Sequence, residues 1–308
     1  MEAIIGRARV RLKDMVPSYR IAVAGASPGR MVGGRWAPCR LSPGRAPTSA
    51  GAARVVAMCG RYASSRRPED LLEEFEVVDD RVPAALEPDY NVAPTKDVYA
   101  VLERARKDAE DPGPPQRQLR VLRWGLVPSW AKDPAIGSRM INARRETVAE
   151  KPAFRRALAA RRCLLPADGY YEWYPTSQLT TAGKPRKQPF YIHPRDGGVL
   201  AMAGLYEIWR DPDRAEDDPD RFRWTCTVIT TAAQDDLGHL HDRMPMMVAR
   251  DQWADWLDPG APRESVLDLL EPAAPGRLEA YPVSAAVGNV RNNGATLTEP
   301  LPLEEVVT

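Results

Sequence analysis

From residue 58 onward the apolar positions form short runs, some at the two-residue period of strands and some at the 3.6-residue period of helices. PEDLLEEF, at 68–75, predicts a short helix with proline and acids in its first turn. Runs enriched in β-branched and aromatic residues predict strands over 97–102, 119–124, 163–165, 189–192, 199–209 and 223–231. A polar, proline-rich stretch, RKDAEDPGPPQRQ, separates the first two strands, and TSQLTTAGKPRKQ and DPDRAEDDPDR read as hairpin loops. Helical composition returns at 152–161, and amphipathic spacing at 251–257 and 263–270. There is no internal repeat and no strand–helix–strand alternation. The expected fold is therefore α+β, a single compact β-rich domain with a few peripheral helices.

Residues 1–57 are different in kind, rich in Arg, Ala, Gly and Pro and holding neither period for long. They carry nine Arg and Lys13 against only Glu2 and Asp14, about +8 by formal count. Since the whole chain sums to +1, the remainder is near −7 on the same count. The leader is expected to be disordered. It reads as a transit-like segment that is cleaved, or as untranslated sequence with Met58 the true start, and the chemistry of the next residue favours the latter. A mildly acidic body would bind a polyanion only through a local basic patch. No run is apolar and long enough to span a bilayer.

The four cysteines, Cys39, Cys59, Cys163 and Cys226, show no CxxC pair. Neither a disulfide framework nor a zinc site is expected, and a reducing cytoplasm is the expected compartment. His193, His239 and His241 do not cluster with other ligands, so no metal or cofactor is expected. A monomer is the default expectation.

Candidate chemistry begins at Met58-Cys59-Gly60-Arg61-Tyr62. A small residue after an initiator Met permits removal of that Met, which would leave Cys59 as a free 1,2-aminothiol. Towards an aldehyde such a group is special: the amine condenses to an imine, and the thiol closes on the same carbon as a thiazolidine. The α-amino pKa, roughly 7.7–8.0 against about 10.4 for Lys, leaves much of it nucleophilic near neutrality. The plain alternative is a cysteine packed in a strand, the commoner fate of a lone Cys.

Further pieces follow in order: Trp124-Gly-Leu-Val-Pro-Ser-Trp130, Ile141-Asn142-Ala143-Arg144 with Glu146-Thr147, Asp168-Gly-Tyr-Tyr-Glu172-Trp173, His241-Asp242-Arg243-Met244-Pro245, and Val287-Gly288-Asn289-Val290. From Cys59 to about Gly294 this ordered set resembles the SOS-response-associated peptidase (SRAP) family of abasic-site processing proteins. The resemblance implies the family's fold, with a positively charged groove for single-stranded DNA carrying abasic sites as the partner. It implies Cys59 as the crosslinking nucleophile, Asn142 as a positioning residue, Glu172 as general acid/base and His241 as the group handling protons on the sugar. Chemically the types fit. Imine formation expels water and needs a carboxyl that donates and then accepts protons. A histidine titrating near neutrality suits opening of the closed sugar.

Each has a structural alternative: Asn142 as a turn cap, Glu172 as a surface acid, His241 as a loop histidine. Arg61, Arg144 and Arg243 stand beside these residues as candidate phosphate contacts, and Trp124 and Trp173 as candidate stacking platforms. Two other functions stay open at this level. One is a cysteine peptidase using Cys59, Glu172 and His241, with the leader as a substrate; the other is a non-enzymatic single-stranded nucleic-acid binding module.

Overall fold

The structure is a computed structural model that describes residues 59–105, 113–233, 240–271 and 276–306. The expectations for residues 1–57 lie outside this range, as does His239. In chain order the strands are β1 (Tyr62–Ser64), β2 (Asp79–Asp80), β3 (Asp89–Val92), β4 (Asp97–Arg104), β5 (Gln116–Trp124), β6 (Asn142–Arg144), β7 (Arg162–Ala167), β8 (Gly169–Leu179), β9 (Pro185–Pro194), β10 (Leu200–Arg210), β11 (Phe222–Ala232), β12 (Arg243–Pro245) and β13 (Leu278–Pro282). Five short helices accompany them: α1 (Pro68–Glu74), α2 (Arg145–Val148), α3 (Arg155–Ala160), α4 (Trp253–Leu257) and α5 (Arg263–Asp268). None of the described helices is long and apolar enough to cross a membrane.

The larger sheet runs β12-β11-β10-β7-β4-β5-β2. It curls until β5 meets β11 again, in parallel, at Thr225↔Arg123 and Cys226↔Trp124, which closes β11, β10, β7, β4 and β5 into a barrel. Closure removes the free edges that an open sheet would expose. Residues alternate in and out along each strand. Leu102, Leu122, Trp124, Cys163 and Cys226, which share a face through the pairing registers, are all buried. The smaller, antiparallel sheet runs β13-β9-β8-β1-β3. The result is the β-rich α+β fold expected from the patterning.

Differences from expectation concern length. The stretch TSQLTTAGKPRKQ is mostly strand, because β8 runs out to Leu179 and β9 returns from Pro185. The helix expected at 152–161 is confined to Arg155–Ala160. Strands β1, β3, β6 and β12 are three or four residues each, too short to show a period in sequence.

Arg162 shows how the helices are tied on. It opens β7, is 1% exposed, and has no carboxylate partner among the described residues. Its guanidinium donates instead to the carbonyls of Leu158 (2.7 Å) and Ala159 (2.8 Å) near the end of α3, and to those of Trp256 (2.7 Å) and Asp258 at the end of α4. Helix C-termini present unsatisfied carbonyls and partial negative charge, so one buried cation serves both ends. Trp256 completes the joint by donating its indole N–H to the Cys163 carbonyl at 2.9 Å. Replacing Arg162 by Met leaves these carbonyls buried and unpaired. The R162M variant is expected to lose about 3 kcal/mol or more, read as a lower urea midpoint at constant slope.

Candidate active site

The site forms where the first residues of the described chain cross the smaller sheet beside the end of β11. β1 pairs with β8 at Tyr62↔Tyr170, and the Tyr171 amide donates to the Arg61 carbonyl at 3.0 Å. The buried ring of Tyr62 rests on Trp124 at 5.1 Å between centroids. With β1 anchored this way, the antiparallel register carries the chain back towards Glu172. The Cys59 backbone N–H donates to Glu172 Oε1 at 2.9 Å, and its Sγ lies 3.8 Å from the Arg243 carbonyl oxygen. Both residues are buried, Cys59 at 5% exposure and Glu172 at 4%. Cys59 has φ +44°, in the left-handed region that costs energy for a non-glycine residue.

Burial shifts both groups. Desolvation raises the Glu172 carboxyl above the ordinary carboxylate range, partly offset by the hydrogen bonds to Cys59 and by His241 and Lys187. The Cys59 thiol rises well above its usual value, first through desolvation and then through the Glu172 charge and hydrogen bond, with Arg243 opposing. The pair therefore favours a protonated thiol at neutral pH.

β11 organises the rest. At its end β6 runs along one edge, with Val228↔Asn142 and Thr230↔Arg144, while β12 runs along the other, with Thr230↔Pro245. Arg243 spans the two. Its guanidinium meets Glu146 at 2.6 and 3.0 Å and the Thr230 carbonyl at 2.6 Å. The Arg243 amide donates to His241 Nδ1 at 3.0 Å, which leaves Nε2 to carry the ring proton. Asp242 Oδ1 is also 3.0 Å from Nδ1 and would favour a protonated Nδ1 instead. Since Asp242 is exposed, the backbone amide is the firmer guide to the tautomer. One residue thus touches the thiol through its carbonyl and the imidazole through its amide.

Of the residues singled out in sequence, Cys59, Glu172, His241 and Arg243 come together, and half-buried Asn142 stands two positions before Arg144 on the strand beside β11. Arg144 is exposed and meets no carboxylate among the described residues. One expectation needs correction. Trp124 is 1% exposed, with its indole N–H on the Ile141 carbonyl at 2.9 Å, so it is core and has no face for a base. Arg61 is half-buried, its guanidinium donating to Asn91 Oδ1 at 2.6 Å and the Val287 carbonyl at 2.8 Å. Its guanidinium also lies 5.7 Å from the centre of the half-buried Trp173 ring.

Two residues are given no role by the sequence motifs. Asn91, fully buried, accepts from Arg61 and donates to the carbonyls of Asn289 (3.0 Å) and Asn292 (2.9 Å). It ties the Val287–Val290 segment to the site, and nothing in its sequence surroundings marks it. Trp130, at the end of the motif that Trp124 opens, is 54% exposed; the proline–serine loop before it was the available signal. No group of three or more potential metal ligands occurs among the described residues.

Residues 58–290 match the family model described as SOS response associated peptidase (SRAP). The chain is 37% identical over 243 residues to the abasic site processing protein YoaM of Bacillus subtilis, covering 79% of this chain and 98% of that protein. To the Escherichia coli abasic site processing protein YedK it is 33% identical over 79% of this chain and 100% of that protein. To the Xenopus tropicalis abasic site processing protein HMCES it is 30% identical over 77% and 76% respectively. A crystal structure of a Bacteroides thetaiotaomicron protein matches with a TM-score of 0.65 at 23% identity, over 79% of this chain and 100% of that one, a likeness of fold.

The Arg243–Glu146 pair has a measurable signature. Hydrogen bonding from Arg243 holds the Glu146 carboxyl below the usual carboxylate range. A carboxyl depressed by folding stabilises the protein above its unfolded value, and that contribution fades as pH falls through the folded one. In E146Q stability should drop modestly near neutrality, by less than about 1 kcal/mol because the carboxylate side of the pair is solvent-exposed, read as a lower melting temperature. The gap to the parent should then close on acidification towards pH 3. Parallel melting curves across that range would show that the pair carries no such linkage.

Proposed function

This chain belongs to the SOS response associated peptidase (SRAP) family, and we propose that it captures abasic sites in single-stranded DNA covalently through Cys59 acting as the amino-terminal residue. The observation that carries this reading is the buried contact of the Cys59 nitrogen with Glu172 at 2.9 Å, with the thiol of the same residue alongside. In the proposed sequence the free amine attacks the aldehyde carbon of the opened sugar. Glu172, raised by burial, delivers a proton to the departing hydroxyl, so that water leaves and an imine forms. The Cys59 thiol then adds to the imine carbon, its proton passing to the nitrogen, and a thiazolidine closes. His241, whose Nδ1 accepts from the Arg243 amide, would present Nε2–H to the sugar oxygens during ring opening, while Asn142 positions the opened sugar.

A protonated thiol suits this order, because the amine acts first and sulfur second. It weighs against a cysteine peptidase, whose attack begins from a thiolate. For the DNA, Arg144 is exposed without an acidic partner among the described residues, and Arg243 is oriented by Glu146. Trp130 replaces Trp124 as the stacking residue, on the strength of its exposure.

Intact-mass spectrometry of the full chain, before and after incubation with a single-stranded oligonucleotide carrying one abasic site, tests the reading. The expected free mass begins at Cys59, and the expected adduct equals protein plus DNA minus one water. C59A should give no adduct, and E172Q should form it about 10²- to 10⁴-fold more slowly. A protein that begins at Met1 and gives no adduct would overturn the proposal. If the leader is removed by the chain itself, C59A should also retain it. Separately, W130A should weaken binding of an intact single strand by about 1–3 kcal/mol in fluorescence anisotropy; unchanged affinity would exclude stacking there.

A further inference from the structure

The strand that bears Glu172 does not stop at the site. β8 continues through Trp173 to Leu179, and β9 returns from Pro185, paired at Trp173↔Pro189, Tyr174↔Gln188 and Pro175↔Lys187. The base of this hairpin is fixed: Gln188, buried, donates to the carbonyls of Pro189 (2.9 Å) and Val283 (2.8 Å), and Thr176 Oγ1 donates to the Arg186 carbonyl at 3.1 Å. Its tip is closed by the Thr180 amide on the Lys184 carbonyl at 2.7 Å. Every residue from 177 to 187 is exposed. The arm is thus a hydrogen-bonded hairpin that projects into solvent, with an irregularity in the ladder between Pro175 and Leu179.

Its charge is one-sided. No Asp or Glu occurs between Glu172 and Asp196, whereas Lys184, Arg186 and Lys187 all lie in the arm. Elsewhere some cations are matched with acids, as in Arg66–Asp168, Arg81–Asp79 and Lys96–Asp89, and those without an acid partner, such as Arg123, Lys132 and Lys151, are not gathered on one projecting hairpin. The three arm cations have no ion-pair partner among the described residues, and Arg186 has only a long contact to Gln178 Oε1 at 3.4 Å. A cationic projection without ion-pair partners, of which only Lys187 lies close enough to act on Glu172, on a body near −7 by formal count is complementary to a polyanion. At about 3.3 Å per residue, Lys187 lies roughly 10 Å along the strand from Glu172, and Lys184 at the tip roughly 25 Å. That reach carries the arm's cations from beside the Cys59–Glu172 pair to well beyond it.

We propose that the β8–β9 hairpin is a phosphate-binding arm that grips the DNA strand flanking the abasic site, through Lys184, Arg186 and Lys187. The proposal rests on the reading of the chain as an abasic-site protein and adds where the flanking strand runs. The test uses the full chain and its K184Q/R186Q/K187Q variant, with anisotropy titrations of an intact single-stranded oligonucleotide from 50 to 200 mM KCl. Three lost contacts to a single strand should reduce the slope of log affinity against log salt by about 2, with the melting temperature unchanged. The charge-conserving K184R/R186K/K187R variant should restore the parent slope. An unchanged slope in the neutral variant would overturn the proposal, as would a loss of affinity that the charge-conserving variant shares. Binding to the intact strand reads the arm, while the covalent adduct of the unaltered chain reads the abasic-site chemistry, so each can fail without the other.

Discussion

Glu172 is a carboxyl taken out of water with no cation bonded to it among the described residues, and the arrangement of the site follows from how that burial is compensated. An unpaired buried carboxylate is costly. Here the group is met by the Cys59 amide at 2.9 Å and by the fields of His241 and Lys187, and the balance still leaves its pKa raised. A carboxyl raised in this way holds its proton to higher pH than an ordinary carboxylate, the direction that the proposed general acid/base role requires. Burial, and then the Glu172 charge and hydrogen bond, push the Cys59 thiol upward; in the proposed reaction the nitrogen of this residue acts first and its sulfur second.

Holding that contact requires two sheets to stay in register with one another. β1 and β8 belong to the smaller sheet, while Arg243 and His241 depend on the end of β11 in the barrel. The parallel meeting of β5 with β11 occupies only the middle of β11, leaving its last residues free to take β6 on one edge and β12 on the other. Arg243 crosses from β12 to Glu146, just past β6, and to the Thr230 carbonyl between them. A ladder too short to be stable alone is thereby fastened by a partly buried, two-pronged ion pair.

Surface electrostatics follow a separate logic from the interior. Pairing neutralises many of the arginines on the body, and Arg61, beside the nucleophile, is taken up by Asn91 and Val287. Arg144 near the site and the three cations of the β8–β9 arm are among the exposed cations that meet no carboxylate in the described residues, as are Arg123, Lys132 and Lys151 on the body. It is the arm's local run of cations without an intervening acid, rather than a general excess, that sets it apart on an otherwise acidic chain.

Several features were legible in the chain itself because they are local. Periodicity showed the long strands and the first helix, since each writes its own spacing. The ordered motifs identified Cys59, Glu172 and His241 because their chemistry depends on residue type. What the sequence could not decide were properties set by partners distant along the chain. Trp124 and Trp130 are both tryptophans of one motif, and only barrel closure buries the first and exposes the second. Arg61 and Arg144 look alike in sequence, but an asparagine 30 positions away captures one of them. Short strands such as β6 and β12 exist only because β11 offers them two edges, and the 113-residue separation of Cys59 from Glu172 is bridged solely by the β1–β8 register. Local spacing fixes which way a side chain alternates; which neighbours it then meets is a matter of tertiary pairing, and that pairing decides charge, burial and reactivity.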